Sequence, residues 1–231
     1  MAGDVHRIVL SSARPLGSTG AWGQAVFLLL QEGHTIVATS GKGLPHHWPH
    51  RDDVRTITNN IRGLMTQSPA VSQAAVDAYS DYRRSPRYPE TQSMLMLMMS
   101  RVDSTGTFRS LEREVLARKM HLEIFSALTE AQPTLGIFDV TPHEAMDFAL
   151  MRALEWQGIP LLMFQPSLVG PQVMARTSLT KTLPLELDAE VAALHDHALS
   201  EVHRIADAAI ERLVHGTGTP KMDNQKAKEA K

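Results

Sequence analysis

The chain of 231 residues contains no cysteine. That excludes a disulfide framework, a thiolate metal site and a cysteine nucleophile, and a reducing compartment is the natural expectation. Charge of either sign is not in excess either: 23 Lys and Arg stand against 25 Asp and Glu, a formal net of −2. Such a balance argues against a nucleic-acid binder held by a basic surface, and no acidic block suggests a solvating role. No apolar run approaches the ~20 residues of a membrane span. The strongest, residues 25–30, belongs to an amphipathic segment. Asp4, His6 and Arg7 precede a short apolar run without the basic segment and long apolar core of a secretory signal. There is no Gly-Lys-Ser/Thr of a phosphate-binding loop, no internal repeat and no low-complexity domain. These absences together predict a soluble, cytoplasmic protein with no nucleic-acid partner and no transmembrane segment.

What is present reads as an alternation of strands and helices. Residues 7–11 (R-I-V-L-S) form a compact apolar strand, and a loop rich in Gly, Ser and Pro runs over 12–20. A helix follows over 21–31, stopped by Gly33 at the C′ position, and 34–39 (H-T-I-V-A-T) is a second strand. Strand, loop, helix, glycine and strand make a βαβ crossover, hence parallel pairing with a right-handed connection. Residues 51–65 and 71–83 read as amphipathic helices, 85–90 as a break, and 91–102, with Met94, Met96, Met98 and Met99, as a buried helix. A long helix over 109–131 carries Leu111, Val115, Leu116, Met120, Ile124 and Leu128 roughly on one face. A second unit has a strand at 135–140, a helix at 143–157, Gly158 as its stop and a strand at 159–164. Residues 166–184 are irregular, 188–215 form a last amphipathic helix, and the lysine-bearing segment 216–231 is a disordered tail. The expected fold is α/β: a Rossmann-like, doubly wound parallel sheet forming one domain over 1–215. The helical insertion at 51–102 would be a lid or cap beside the sheet.

The segment D-V-T-P-H-E-A-M-D-F-A-L, residues 139–150, carries the strongest candidate chemistry. Thr141 is the expected N-cap, Pro142 the first helical residue and Glu144 the partner of a T-x-x-E capping box. His143 and Asp147 then lie four apart on one helical face, and His143, Glu144 and Asp147 are the catalytic candidates, a general base oriented by a carboxylate. Capping alone accounts for Glu144 and suits Asp147, whereas many residues would serve where His143 stands. A strand that runs through a polar loop into a helix N-terminus is where open α/β sheets hold ligands. The first such loop offers Ser12, Gly17, Ser18, Thr19 and Gly20. Glycines there allow backbone N–H groups to approach an anion, although the G-x-x-G-x-x-G spacing equally fits a flexible turn capped by Ser18 or Thr19. The second strand ends T-S-G without a ribose-binding acid, which disfavours dinucleotide chemistry. Gln165 closes the fourth strand on the same rim, where it could meet a sugar or nucleotide hydroxyl. The H-H-W-P-H run at 46–50 has spacing that no single helix or strand face accommodates, so it reads as a solvated loop rather than a metal site. His195, His197 and His203 read as surface polar residues of the last helix.

Four pieces in this order carry a family resemblance: I-V-L-S-S-A-R-P-L-G-S-T-G-A-W, Q-E-G-H-T-I-V, G-I-F-D-V-T-P-H-E-A-M-D-F-A-L and G-I-P-L-L-M-F-Q-P. The chain resembles the N-terminal half of bacterial capsular or surface-polysaccharide biosynthesis proteins with a glycosyltransferase-B-like architecture. The match covers residues 7–40 and 134–166, and Pro142-His143…Asp147 is its most specific element. The resemblance implies a sugar-transfer setting in which this lobe faces the acceptor. His143 would be the base on an acceptor hydroxyl, Asp147 its orienting partner, and the 17–23 loop an anion cradle. A nucleotide sugar or sugar acceptor would be the ligand, no cofactor or metal is implied, and a second lobe or protein partner would complete the enzyme. The alternative is a non-catalytic binding or assembly module, for which the stripe at 188–215 would serve a homo-oligomeric or heteromeric helix interface. A flavodoxin-like or nucleotide-binding domain using the first loop is a third option.

Overall fold

The computed structural model describes residues 5–12, 21–41, 44, 51–58, 61–66, 70–103, 106, 108–166 and 173–180. Within the chain, Met1–Gln165 with Ala175–Thr182 forms one compact unit, and Pro166–Met174 with Leu183–Lys231 forms a second. The expected helix at 188–215, the tail, residues 17–20 and the histidines at 46–50 lie outside the described residues.

The protein is mixed α/β. Strands β1 (Arg7–Ser12), β2 (Thr35–Gly41), β3 (Arg55–Ile57), β4 (Leu135–Phe138), β5 (Leu161–Pro166) and β6 (Val173–Arg176) make one sheet ordered β3-β2-β1-β4-β5-β6. The pairs β1·β2, β1·β4, β2·β3 and β4·β5 are all parallel. The helices are α1 (Ala21–Gln31), α2 (Ile61–Thr66), α3 (Gln73–Arg84), α4 (Tyr88–Val102), α5 (Ser110–Ala131) and α6 (Ala145–Trp156).

Alternation along the strands divides the core in two. Ile8, Leu10, Ile36 and Ile137 face Val26 of α1 on one side. Val9, Val37, Ile57, Phe138, Leu161 and Met163 face the larger helical layer on the other. Both expected glycine stops are present and close Schellman motifs. Gly33 (φ 92) donates to Leu30 O while His34 donates to Leu29 O. Gly158 (φ 72) and Ile159 repeat this on Glu155 O and Leu154 O.

Several elements differ from the sequence expectation. Residues 51–65 are not one helix: a 3₁₀ turn at Arg51–Asp53 leads into β3, and only Ile61–Thr66 is helical. Thr56 and Ile57 are β-branched, and β2 offers them a free parallel edge. Residues 166–184 include the further strand β6, and β5 runs two residues later than expected. Helix α4 starts at Tyr88, because Pro89 in its first turn is compatible with a helix start. The methionine segment is not uniformly core: Leu95 and Met99 are buried, whereas Met94 and Leu97 are exposed. The stripe on α5 likewise divides, with Leu111 and Val115 exposed and everything from Leu116 inward buried. Helices α3 and α4 join α5 and α6 in one apolar cluster through Tyr79, Tyr82 and Leu95.

Candidate functional site

The strand order contains one reversal. From β1 the chain moves to β2 and β3 on one side, then returns to place β4 on β1's other side. Loops leaving the carboxyl ends of β1 and β4 therefore diverge, and open sheets hold ligands in the crevice that results. Ser11 and Phe138 are register partners at that edge, so Ser12 and Asp139 emerge side by side.

The polar side chains gathered there come from β1, β2, the loop after β4, and α6. Ser12 Oγ donates to Asp139 Oδ2 at 2.8 Å, and Asp139 N–H donates to Ser11 O at 3.1 Å. Ser11 Oγ and Ser40 Oγ both donate to Asp147 Oδ1, at 2.8 and 3.1 Å. Asp147 is only 5% exposed and both serines are buried. Burial raises the Asp147 pKa; the two serine hydroxyls act against that rise. Gly41, at φ 87, closes β2 against this cluster, where a Cβ would stand 2.1 Å from Ser12 O. Only glycine fits so tight an approach in that backbone region.

His143 and Asp147 are not a hydrogen-bonded pair. The reason is where α6 begins: Glu144, in extended backbone (φ −96, ψ 149), is the N-cap and makes no side-chain cap. The Thr141 capping box does not form, since the Thr141 hydroxyl donates to Gln165 Oε1 at 3.4 Å instead. His143 thus stands in the loop before the helix, exposed, with Nδ1 3.4 Å from Thr141 O. A carbonyl only accepts, so this contact favours the tautomer with the proton on Nδ1 and leaves Nε2 bare. Asp147, within the first turn, faces inward to the serines. Glu144 is exposed beside His143.

Gln165 sits at the end of β5 on the same carboxyl edge. Its Oε1 also accepts from Arg176 Nη1 at 2.6 Å, so Arg176, Gln165 and Thr141 form a hydrogen-bonded row leading toward His143. Of the expected ligand-binding residues, Ser12 and Gln165 are therefore on this edge, and Gly17, Ser18, Thr19 and Gly20 lie outside the described residues. Sequence reasoning did not single out Ser11, Ser40, Gly41, Asp139 or Arg176 as site residues. A signal existed for the two serines: each follows an apolar run near the carboxyl end of its strand, and the two are register partners on adjacent strands.

A cavity of about 1100 Å³ opens at the opposite edge, among the amino ends of β1, β2 and β3. Its charged groups hold the fold together. Arg7 donates to Ala131 O and Gln132 O at the end of α5, and Arg55 bridges Glu123 and Glu130. Both arginines that line it are thus tied to neighbouring elements of the fold. Among the described residues no cluster of His, Asp and Glu is placed to hold a metal, and no helix is long and apolar enough to cross a membrane. Comparison of the chain with protein-family models, curated proteins and solved structures returns no match.

Proposed function

We propose that this chain is the acceptor-side lobe of a glycosyltransferase of surface-polysaccharide biosynthesis, Rossmann-like in its β3-β2-β1-β4-β5-β6 order. The observation that carries the reading is the exposed imidazole of His143, set in the loop after β4 at the sheet's reversal point. Hydroxyl, amide and carboxylate side chains on the same edge suit a polyhydroxylated ligand.

Sugar transfer with inversion requires a base at the acceptor hydroxyl and stabilisation of the departing phosphate. His143 Nε2 takes the hydroxyl proton while Thr141 O steadies Nδ1–H. Asp147, from its buried position, fixes the ends of β1 and β2 against α6 and so keeps the rim in register. The glycine-bearing segment 17–23 is the candidate anion cradle. The nucleotide-sugar donor is bound with the help of a second lobe or partner chain.

The test is a transfer assay with nucleotide sugars and oligosaccharide acceptors, supplied with the partner lobe. His143→Ala should lower turnover by about 10²–10⁴-fold, the usual range for a positioned acid or base, with the thermal midpoint unchanged. Undiminished transfer would refute the assignment. Absence of binding to any saccharide or nucleotide sugar would favour a non-catalytic assembly module.

A further inference from the structure

The row Arg176–Gln165–Thr141 has a chemistry that the base at 143 does not explain. Arg176 is partly buried, and its hydrogen bonds go to neutral oxygens: Nη1 to Gln165 Oε1 at 2.6 Å and Nη2 to Leu179 O. No described carboxylate lies within ion-pair distance of it, and its Nε is buried without an acceptor. Four other arginines have a carboxylate partner, Arg55, Arg84, Arg113 and Arg152; Arg7 also meets carbonyls alone, but it is exposed, whereas Arg176 is partly buried. A guanidinium presents five donors and a fixed charge, and a partly buried one with neutral partners alone is electrostatically incomplete.

Gln165 adds to the asymmetry. Its Oε1 receives two donors, Arg176 Nη1 and Thr141 Oγ1, which orients the amide with Nε2 on its remaining side. No described residue accepts from that Nε2, and it is not among the buried unsatisfied atoms, so it reaches solvent. Its N–H donors and the guanidinium therefore offer only donors and positive charge. The complement of such a patch is an acceptor-rich anion, and a carboxylate meets that description.

We propose that Gln165 and Arg176 form a carboxylate-recognition subsite, so that the sugar presented to His143 is an acidic one of the uronic-acid class. This rests on the sugar-acceptor reading and deepens it. Thr141 links the two halves, since its hydroxyl meets Gln165 while its carbonyl meets His143. One ligand then spans both, with a ring hydroxyl at the imidazole and the carboxylate at the amide and guanidinium.

Calorimetric titration of the full chain with methyl glucuronide, methyl glucoside and uridine diphosphate separates the outcomes. The wild type should bind the glucuronide about tenfold more tightly than the glucoside, as a charge-assisted pair would give. Arg176→Gln should bring that ratio close to one. Gln165→Glu guards against a folding artefact, because it gives Arg176 an internal carboxylate. It should abolish the preference while leaving the thermal midpoint equal or higher. Equal binding of the two sugars by wild type, or a preference that survives both substitutions, overturns the subsite while leaving the sugar reading intact. Loss of uridine diphosphate binding on Arg176→Gln, with the glucuronide unaffected, also overturns it and assigns the charge to the donor phosphate. No binding of either saccharide overturns the sugar reading and this inference together.

Discussion

The sharpest consequence of the geometry is what happens when Asp147 loses its carboxylate. Asp147→Ala leaves the hydroxyls of Ser11 and Ser40, both buried, without their common acceptor. An orphaned buried hydroxyl costs about 1–3 kcal/mol, so the pair together costs roughly 4 kcal/mol. For a chain of this size each kcal/mol moves the thermal midpoint by about 2–4 °C, giving a fall of roughly 8–16 °C. Asp147→Asn behaves differently. Its amide oxygen accepts from both serines, and it cannot ionise. Because burial raises the Asp147 pKa above its ordinary value of 3.8, the native state holds the proton more firmly than the unfolded chain does. Its stabilising share is therefore largest below that ordinary value and is lost as pH rises through the raised one. Stability measured by urea denaturation, followed through tryptophan fluorescence, should thus rank Asn at or above Asp at neutral pH, with Ala far below. The advantage of Asn over Asp should widen as pH rises from about 4. An alanine variant as stable as wild type, or an asparagine variant as damaged as alanine, would refute the clamp.

Three further outcomes follow from the same fold. His121 is buried against the rings of Tyr79, Tyr82 and Tyr88, its Nδ1 donating to Ala117 O at 2.9 Å, and burial pushes its pKa down to about 4. Its neutral form stabilises the fold above the unfolded value of 6.5, and about 3 kcal/mol is lost as pH falls from there through 4; in acid titrations His121→Phe should remove that slope, and an unchanged slope would count against it. Gly41→Ala must relieve a 2.1 Å approach to Ser12 O at φ 87, which should cost about 2–4 kcal/mol in chemical denaturation. His143→Ala should leave the midpoint of differential scanning calorimetry within about 1 °C, since an exposed side chain away from caps and core contributes little to stability.

Much of the scaffold can be read from residue pattern. The apolar runs of β1, β2, β4 and β5 have no competing helical period, and Gly33 and Gly158 mark two helix ends by the left-handed backbone each adopts. Strand β3 escapes such reading because three extended residues between Asp53 and Thr58 are too few for any period to show, and pairing to β2 decides their state. The start of α6 is misread for another reason. T-P-H-E has every local mark of a capping box, yet Thr141 meets Gln165, 24 residues away, and a distant partner leaves no local trace. Asp147 shows both sides. Spacing pairs it with His143, but its neighbours Met146, Phe148, Ala149 and Leu150 are all buried. A carboxylate within an otherwise apolar turn points inward, and that signal outweighs the four-residue spacing. Arg176 could not be found from sequence, since its interest lies in the partners it lacks.

The order of the strands has a consequence for synthesis. On the ribosome, β1, β2 and β3 emerge early, but Asp139 follows Ser12 by 127 residues and Asp147 follows Ser11 by 136. Until then one border of β1 has no neighbour and offers its backbone to any extended chain nearby. Nascent polypeptides arrested before residue 135 should therefore associate through that border, and a chaperone that shields it would act early, before the ligand rim exists.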